Sequence, residues 1–278
     1  MTERVNELTL KLANFLLEKD GEWISFSISG FIAYLTLSFI SIGLKGPTKY
    51  QLLDLLNCNF SYMEKSNTRI IMEHECTNSL KMDDFSKIGM AKSAIFHSKP
   101  AFQIFKQIAL EYYDLEMHMI DPTNYDLQQH TINEWGKTLM DVPFINIFTD
   151  QYKEEVSVLI MNEYYASFEW RKHFHPKQNS LDMFKDSKMN IHTVDFMKRV
   201  DDYKYYNDTV IGASIVFLLL NKAGTYAAVV VPHSDNNVQN LLERMNVKIL
   251  IKYRTRAYIP GFIIQSPNDL TYVYLNLD

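Results

Sequence analysis

The fold turns on one run, Met161–Asn162–Glu163–Tyr164–Tyr165–Ala166–Ser167–Phe168–Glu169–Trp170–Arg171–Lys172–His173–Phe174–His175–Pro176. Its opening continues an apolar, β-rich stretch from Glu155 to Tyr165 that carries Val156, Val158, Ile160 and Tyr164, and it reads as a strand. Downstream, strands are expected at Val194 to Met197, Tyr203 to Tyr206, Ile211 to Leu220, Tyr226 to Val231, Val247 to Lys252 and Ala257 to Gln265, with a short helix at Leu241 to Met245. Upstream the chain is mostly helical. Val5, Leu8, Leu10, Leu12, Phe15 and Leu16 recur near helical spacing between Met1 and Lys19. Pro47 starts a helix over Thr48 to Leu56, where its missing N–H costs nothing. Pro100 to Tyr113 and Tyr125 to Met140 read as amphipathic helices, Phe85 to Ser98 and Leu115 to Ile120 as strands. Helices followed by antiparallel strands make an α+β pattern.

Composition narrows the function. The 278 residues are 47% hydrophobic, ample for a large core, and no repeat, low-complexity tract or linker interrupts them. A net charge of −5 argues against a nucleic-acid binder. Lys204 beside Tyr203, Tyr205 and Tyr206 could suggest otherwise, but Asp195, Asp201 and Asp202 share the stretch, and an amphipathic strand pair is expected instead. Trp23 to Leu44 carries no charge and is long enough to span a bilayer. Its first part alternates like a strand and its second part, from Phe31, is helical, so a buried strand and helix are expected rather than a membrane span. Cys58 and Cys76 are the only cysteines and are expected to be free thiols in a reducing compartment. His173, His175 and His192 lack an identifiable third ligand, and solvent-facing histidines are expected, with no metal. No nucleophile elbow, phosphate loop or dinucleotide glycine pattern occurs, so no enzyme and no cofactor are expected.

The opening run, read with its neighbours, resembles the serpin family. Asn162, Tyr165, Trp170, Phe174 and Pro176 stand at the spacing of the serpin segment that leaves the central sheet for its upper corner. Ile132, Asn133 and Trp135 are similar to the helix crossing the front of that sheet. Ser41, Gly43, Lys45, Gly46, Thr48, Leu52 and Leu53 look like the early helix pair. Val194, Met197, Gly212, Ala213, Val229 to Pro232, and then Ile259, Pro260, Phe262, Asp269 and Leu270 follow in the family's order.

The resemblance implies a serpin-like fold: one domain over 1–278, with a large central sheet, a second smaller sheet and helices packed around them. It implies inhibition of serine or cysteine endopeptidases by covalent trapping, in which the cleaved loop inserts as an extra strand. The target protease supplies the chemistry, so no catalytic residue is expected. Ser29 and Asn162 look like the polar shutter beneath the sheet, and Tyr165 and Trp170 like the breach where insertion begins. By the resemblance the shutter's usual histidine partner would lie past Asp278, which predicts an under-satisfied Asn162. Departures stand at the same places: Ser29–Gly30–Phe31–Ile32 replaces Ser-Pro-x-Ser, Gly becomes Phe168, Lys becomes Gly261, and Leu-Pro-Tyr becomes Leu218–Leu219–Leu220. Sheet opening is therefore expected to be impaired. The family pattern continues past Asp278 into the reactive-centre loop and final core strands. The expectation is a truncated chain with doubtful inhibition and self-association through exposed sheet edges. Its alternative is a non-inhibitory interaction or decoy protein. No signal segment is read, which suggests the cytosol or unconventional release, with the extracellular space implied by the family.

Overall fold

The structure is a computed structural model. It describes residues 2–20, 27–64, 66–86, 89–137, 148, 156–166, 168–185, 190–222, 226–233, 236–245 and 259–267. Its helices are α1 (Thr2–Asp20), α2 (Gly30–Gly43), α3 (Gly46–Leu55), α4 (Ser66–Thr77), the single turn α5 (Met82–Phe85), α6 (Gln103–Tyr113), α7 (Tyr125–Gly136) and α8 (Val238–Arg244). Its strands are β1 (Gly89–His97), β2 (Leu115–Met119), β3 (Val158–Ala166), β4 (Ser180–Lys185), β5 (Ile191–Asp208), β6 (Ala213–Leu219), β7 (Tyr226–Pro232) and β8 (Ile259–Pro267). They fall into two compact units, residues 31–167 and residues 1–30 with 168–278.

In the unit of residues 31–167, the strands form a sheet in the order β2-β1-β3. β1 and β2 are parallel, which requires a crossover, and α6 supplies it. β3 runs antiparallel to β1, from Gly89 opposite Ala166 to His97 opposite Val158. Every residue of β1 from Ser93 to His97 is buried, because both faces of the strand are covered. Ile95 packs with Leu35 and Phe39 of α2 and Ala109 and Tyr113 of α6. Ala94 and Phe96 pack on the other face with Ile132 and Trp135 of α7. The Phe96 and Trp135 rings meet edge to face, 5.8 Å between centroids.

In the other unit the strands run β4-β5-β6-β7, with β8 paired to β5. The two strands expected at Val194 and Tyr203 are one 18-residue strand, β5. It can stay continuous because it changes partners: β4 over Ile191 to Phe196, β8 over Phe196 to Tyr203, then β6 over Lys204 to Asp208. β6 alternates cleanly. Ala213, Ile215 and Phe217 face Leu10 and Ala13 of α1 and Leu241 and Leu242 of α8. Val216 and Leu218 face Tyr203, Trp170 and Phe174. The β5–β6 turn is held by Asp208, whose Oδ1 accepts from the N–H groups of Val210 at 2.6 Å and Ile211 at 3.0 Å. Gly212 follows at φ +66, where a Cβ would stand 2.7 Å from Asn236 Nδ2.

The expected helices and most strands form near their expected bounds, with several differences. Phe85 closes α5 instead of opening β1, because the one-turn helix takes the residues before Ser86. The expected strand at Trp23 to Ile28 lies largely outside the described residues; Ser27 to Ser29 are not in a strand. Val247 to Lys252 also lies outside them. β4 had no counterpart in the sequence reading. Among the described residues, no helix is long and apolar enough to cross a membrane.

The expectation of free thiols is overturned. Cys58 and Cys76 form a disulfide. Both are buried, and the Tyr34 hydroxyl lies 3.1 Å from Cys58 Sγ. The loop after α3 returns so closely on the end of α4 that the two sulfurs meet, a proximity that counting cysteines cannot reveal.

Candidate functional site

The candidate site is the β3 edge with what lies beneath it. Among the described residues β3 has β1 on one side and no strand on the other. An open edge presents a row of backbone donors and acceptors ready to receive a strand. Alternation sends Ile160, Asn162 and Tyr164 towards one face, and α2 underlies that face.

Asn162 stands opposite Ser93 in the ladder. Its Oδ1 accepts from the Ser93 hydroxyl at 2.7 Å and from the Thr36 hydroxyl of α2 at 3.2 Å. Thr36 has one proton for two acceptors, since it also reaches the Ile32 carbonyl at 2.9 Å. The expectation of an under-satisfied Asn162 is therefore corrected: Ser93 and Thr36 supply the donors. Neither was singled out from the sequence, because a serine in a strand and a threonine in a helix carry no signal of their own.

One residue further, Tyr164 is part of an aromatic chain. Its ring meets Phe85 edge to face at 6.1 Å, and Phe85 meets Phe31 of α2 at 5.8 Å. Phe31 is one of the departures from the family pattern, and its neighbour Ile32 is only 3% exposed. Tyr165 points to the other side and is 38% exposed. Glu163, just before them, has its carboxyl pushed up by burial, an effect that Lys92 partly offsets.

Ser29 and Trp170 belong to the other unit. Ser29 is the residue just before α2. Gly30 beside it touches α1: a Cβ there would fall 1.8 Å from Thr9 Oγ1 and 2.8 Å from the Val5 carbonyl oxygen. That contact explains why the family's proline has no place at this position. Trp170 pairs with Leu220 in an isolated antiparallel bridge and meets Phe174 edge to face at 6.0 Å. Phe174 in turn lies 5.0 Å from the Arg199 guanidinium, which also donates to Tyr203 Oη at 2.7 Å. Lys172 pairs with Asp201 at 2.7 Å, and that hydrogen bond holds the Asp201 carboxyl below its ordinary range. His173 and His175 lie outside any strand, and both are exposed. Among the described residues no group of three His, Cys, Asp or Glu side chains could hold a metal.

The asparagine on β3, α7 across the sheet and the Trp170 bridge reproduce the order of parts the sequence resembles. The family model for serpin (serine protease inhibitor) matches residues 3–273. The chain belongs to the serpin family. Relatives of this serpin include corticosteroid-binding globulin of Bos taurus, 22% identical over 247 residues that cover 84% of this chain and 59% of that protein. Serpin A3-5 of Bos taurus is 21% identical over 249 residues, 85% of this chain and 59% of that protein. This serpin chain thus spans less than two thirds of the length of these relatives. Among solved structures, reactive-loop-cleaved human thyroxine-binding globulin superposes with a TM-score of 0.78 at 16% identity, over 96% of this chain and 78% of that one. Thyroxine-binding globulin complexed with a thyroxine–fluorescein conjugate gives 0.76. The mixed helices and two sheets are a serpin fold.

Proposed function

We propose that this serpin works as a binding protein that engages its partner without trapping a protease. The observation that carries the reading is the double fastening of β3 to α2. Trapping needs the sheet to part and admit a new strand beside β3. Here β3 is joined to α2 through the Asn162–Thr36 hydrogen bond and again through the Phe31–Phe85–Tyr164 rings. Phe85 is 2% exposed, so the ring chain is core packing, which cannot slide without opening a cavity. The names of corticosteroid-binding and thyroxine-binding globulin place carriage of a ligand among the uses of this fold. A match running from 3 to 273 supports treating both compact units as one serpin domain. The Cys58–Cys76 bond favours an oxidising, extracellular setting over the cytosol.

The test is incubation with trypsin, chymotrypsin and elastase, followed by denaturing electrophoresis and a melting curve. Cleavage without an SDS-stable complex, and without a rise in melting temperature, is the expected result. A covalent complex with any of them would sink the reading. A second reading, family-type inhibition, is favoured by the β3 edge, which has no strand partner among the described residues, and by similarity to the serpin A3 proteins. The same electrophoresis would reveal it. An intact mass from the natural source comes first, because a value near 32.6 kDa or well above it tells which chain to assay.

A further inference from the structure

Helices α2, α3, α4 and α6 enclose a cleft of about 340 Å3, large enough for a small two-ring molecule. Its floor is apolar, with Leu53 fully buried and Ile108 beside it. Its lining is mixed: Ile42, Ile70 and Tyr112 stand 37%, 58% and 54% exposed, with Lys49, His74, Thr77 and Asn78 among them. Large apolar side chains left in water around a concavity are what an apolar ligand would cover.

One charged group deep in the wall has no counterpart in ordinary core packing. Glu73 is 8% exposed. Its carboxylate is 3.9 Å from Lys49 Nζ and 3.8 Å from Arg69 Nε, too far for a hydrogen bond to either. Among the described residues, Glu73 Oε1 and Arg69 Nε have no hydrogen-bond partner at all. Two cations flank the carboxylate while its Oε1 lacks a donor, and a buried carboxylate oxygen without one is costly.

We propose that this cleft binds a neutral amphiphile, an apolar ring skeleton bearing a hydroxyl group. The rings lie among Leu53, Ile70, Ile108 and Tyr112, and the hydroxyl donates to the Glu73 carboxylate. A cationic head would have to stand beside Lys49 and Arg69. An anionic head would face Glu73. A neutral donor supplies the missing hydrogen bond with neither repulsion. The walls are also preorganised: the disulfide joins Cys76 of α4 to Cys58, three residues past the end of α3. None of the lining residues belongs to β3, so the inference goes beyond the proposed function and holds whether or not the serpin traps a protease.

The experiment is calorimetric titration of the disulfide-intact chain with 2-naphthol. Saturable one-to-one binding is expected, weakened roughly ten- to a hundredfold in Glu73→Leu, the range for one hydrogen bond to a charged group. Ile108→Trp, which fills the cleft, should abolish binding. Circular dichroism checks the fold of both variants, and an analogue series on the unmodified chain gives an independent reading. Naphthalene, 2-naphthoate and 2-naphthylmethylammonium should each bind more weakly than 2-naphthol. No saturable binding up to about 1 mM would overturn the proposal. So would equal affinity in folded Glu73→Leu, or a charged analogue that binds more tightly.

Discussion

Asn162 on β3 and Ser93 on β1 stand directly opposite each other across the antiparallel ladder, and the Ser93 hydroxyl donates to Asn162 Oδ1 at 2.7 Å. Ser93 is 1% exposed, so its hydroxyl is shielded from solvent and depends on this acceptor. Asn162→Ala is expected to lower unfolding free energy by about 1–3 kcal/mol, the cost of stranding a buried hydroxyl. Ser93→Ala/Asn162→Ala together should cost less than the sum of the two single changes, since the groups share one interaction. Urea denaturation of the four proteins checks this.

The disulfide gives a second prediction. Cys58 and Cys76 are 18 residues apart, and closing a loop of that size restricts the unfolded chain. Cys58→Ser/Cys76→Ser should lose about 3 kcal/mol by the chain-entropy estimate. Thiol titration of the unmodified, denatured protein should find no free thiol until a reductant is added. Two titratable thiols without reductant would show that the bond is not formed.

The β3 edge gives a third. Val158, at the start of that strand, is 63% exposed. Natural sheets discourage edge-to-edge pairing by placing charge there. Self-association through this edge is expected in the unmodified chain, and Val158→Lys should raise the monomer fraction measured by sedimentation velocity. An unchanged distribution would place any self-association elsewhere.

The Asp201 carboxyl gives a pH prediction. Its hydrogen bond from Lys172 comes first among the causes holding it below the ordinary range, and Arg199 adds a smaller pull. The unfolded chain therefore binds this proton more readily than the folded one. The resulting stabilisation is fully present above the unfolded carboxylate value of about 3.9 and is lost as pH falls through the lower folded value. Asp201→Asn should remove that part of the acid dependence, leaving a shallower fall in stability below about pH 4. Because Asp201 lies near the surface, the effect should shrink in high salt.

Several elements could be read before any coordinates. α1 follows from the spacing of Leu8, Leu10, Leu12 and Leu16, and the start of α3 from Pro47, because a helix is specified by neighbours within a turn or two. The single strand β5 was not legible. The sequence predicts separate strands at Val194 to Met197 and Tyr203 to Tyr206, and pairing with β8 through Tyr203 joins them. The register irregularity between Asp201 and Tyr203 marks where that accommodation is made.

The candidate site divides along the same line. The order of residues by itself determined the family and put Asn162 in a strand, because both follow from motif spacing and periodicity along one chain. Only the tertiary structure decided that Thr36, 126 residues from Asn162, completes its hydrogen bonding, and that Phe31 reaches Tyr164 through Phe85. It alone paired Cys58 with Cys76 and left Glu73 in the wall of a cleft. Local periodicity is written in adjacent residues, whereas a hydrogen bond, a disulfide or a cavity exists only where packing brings distant segments within a few ångströms.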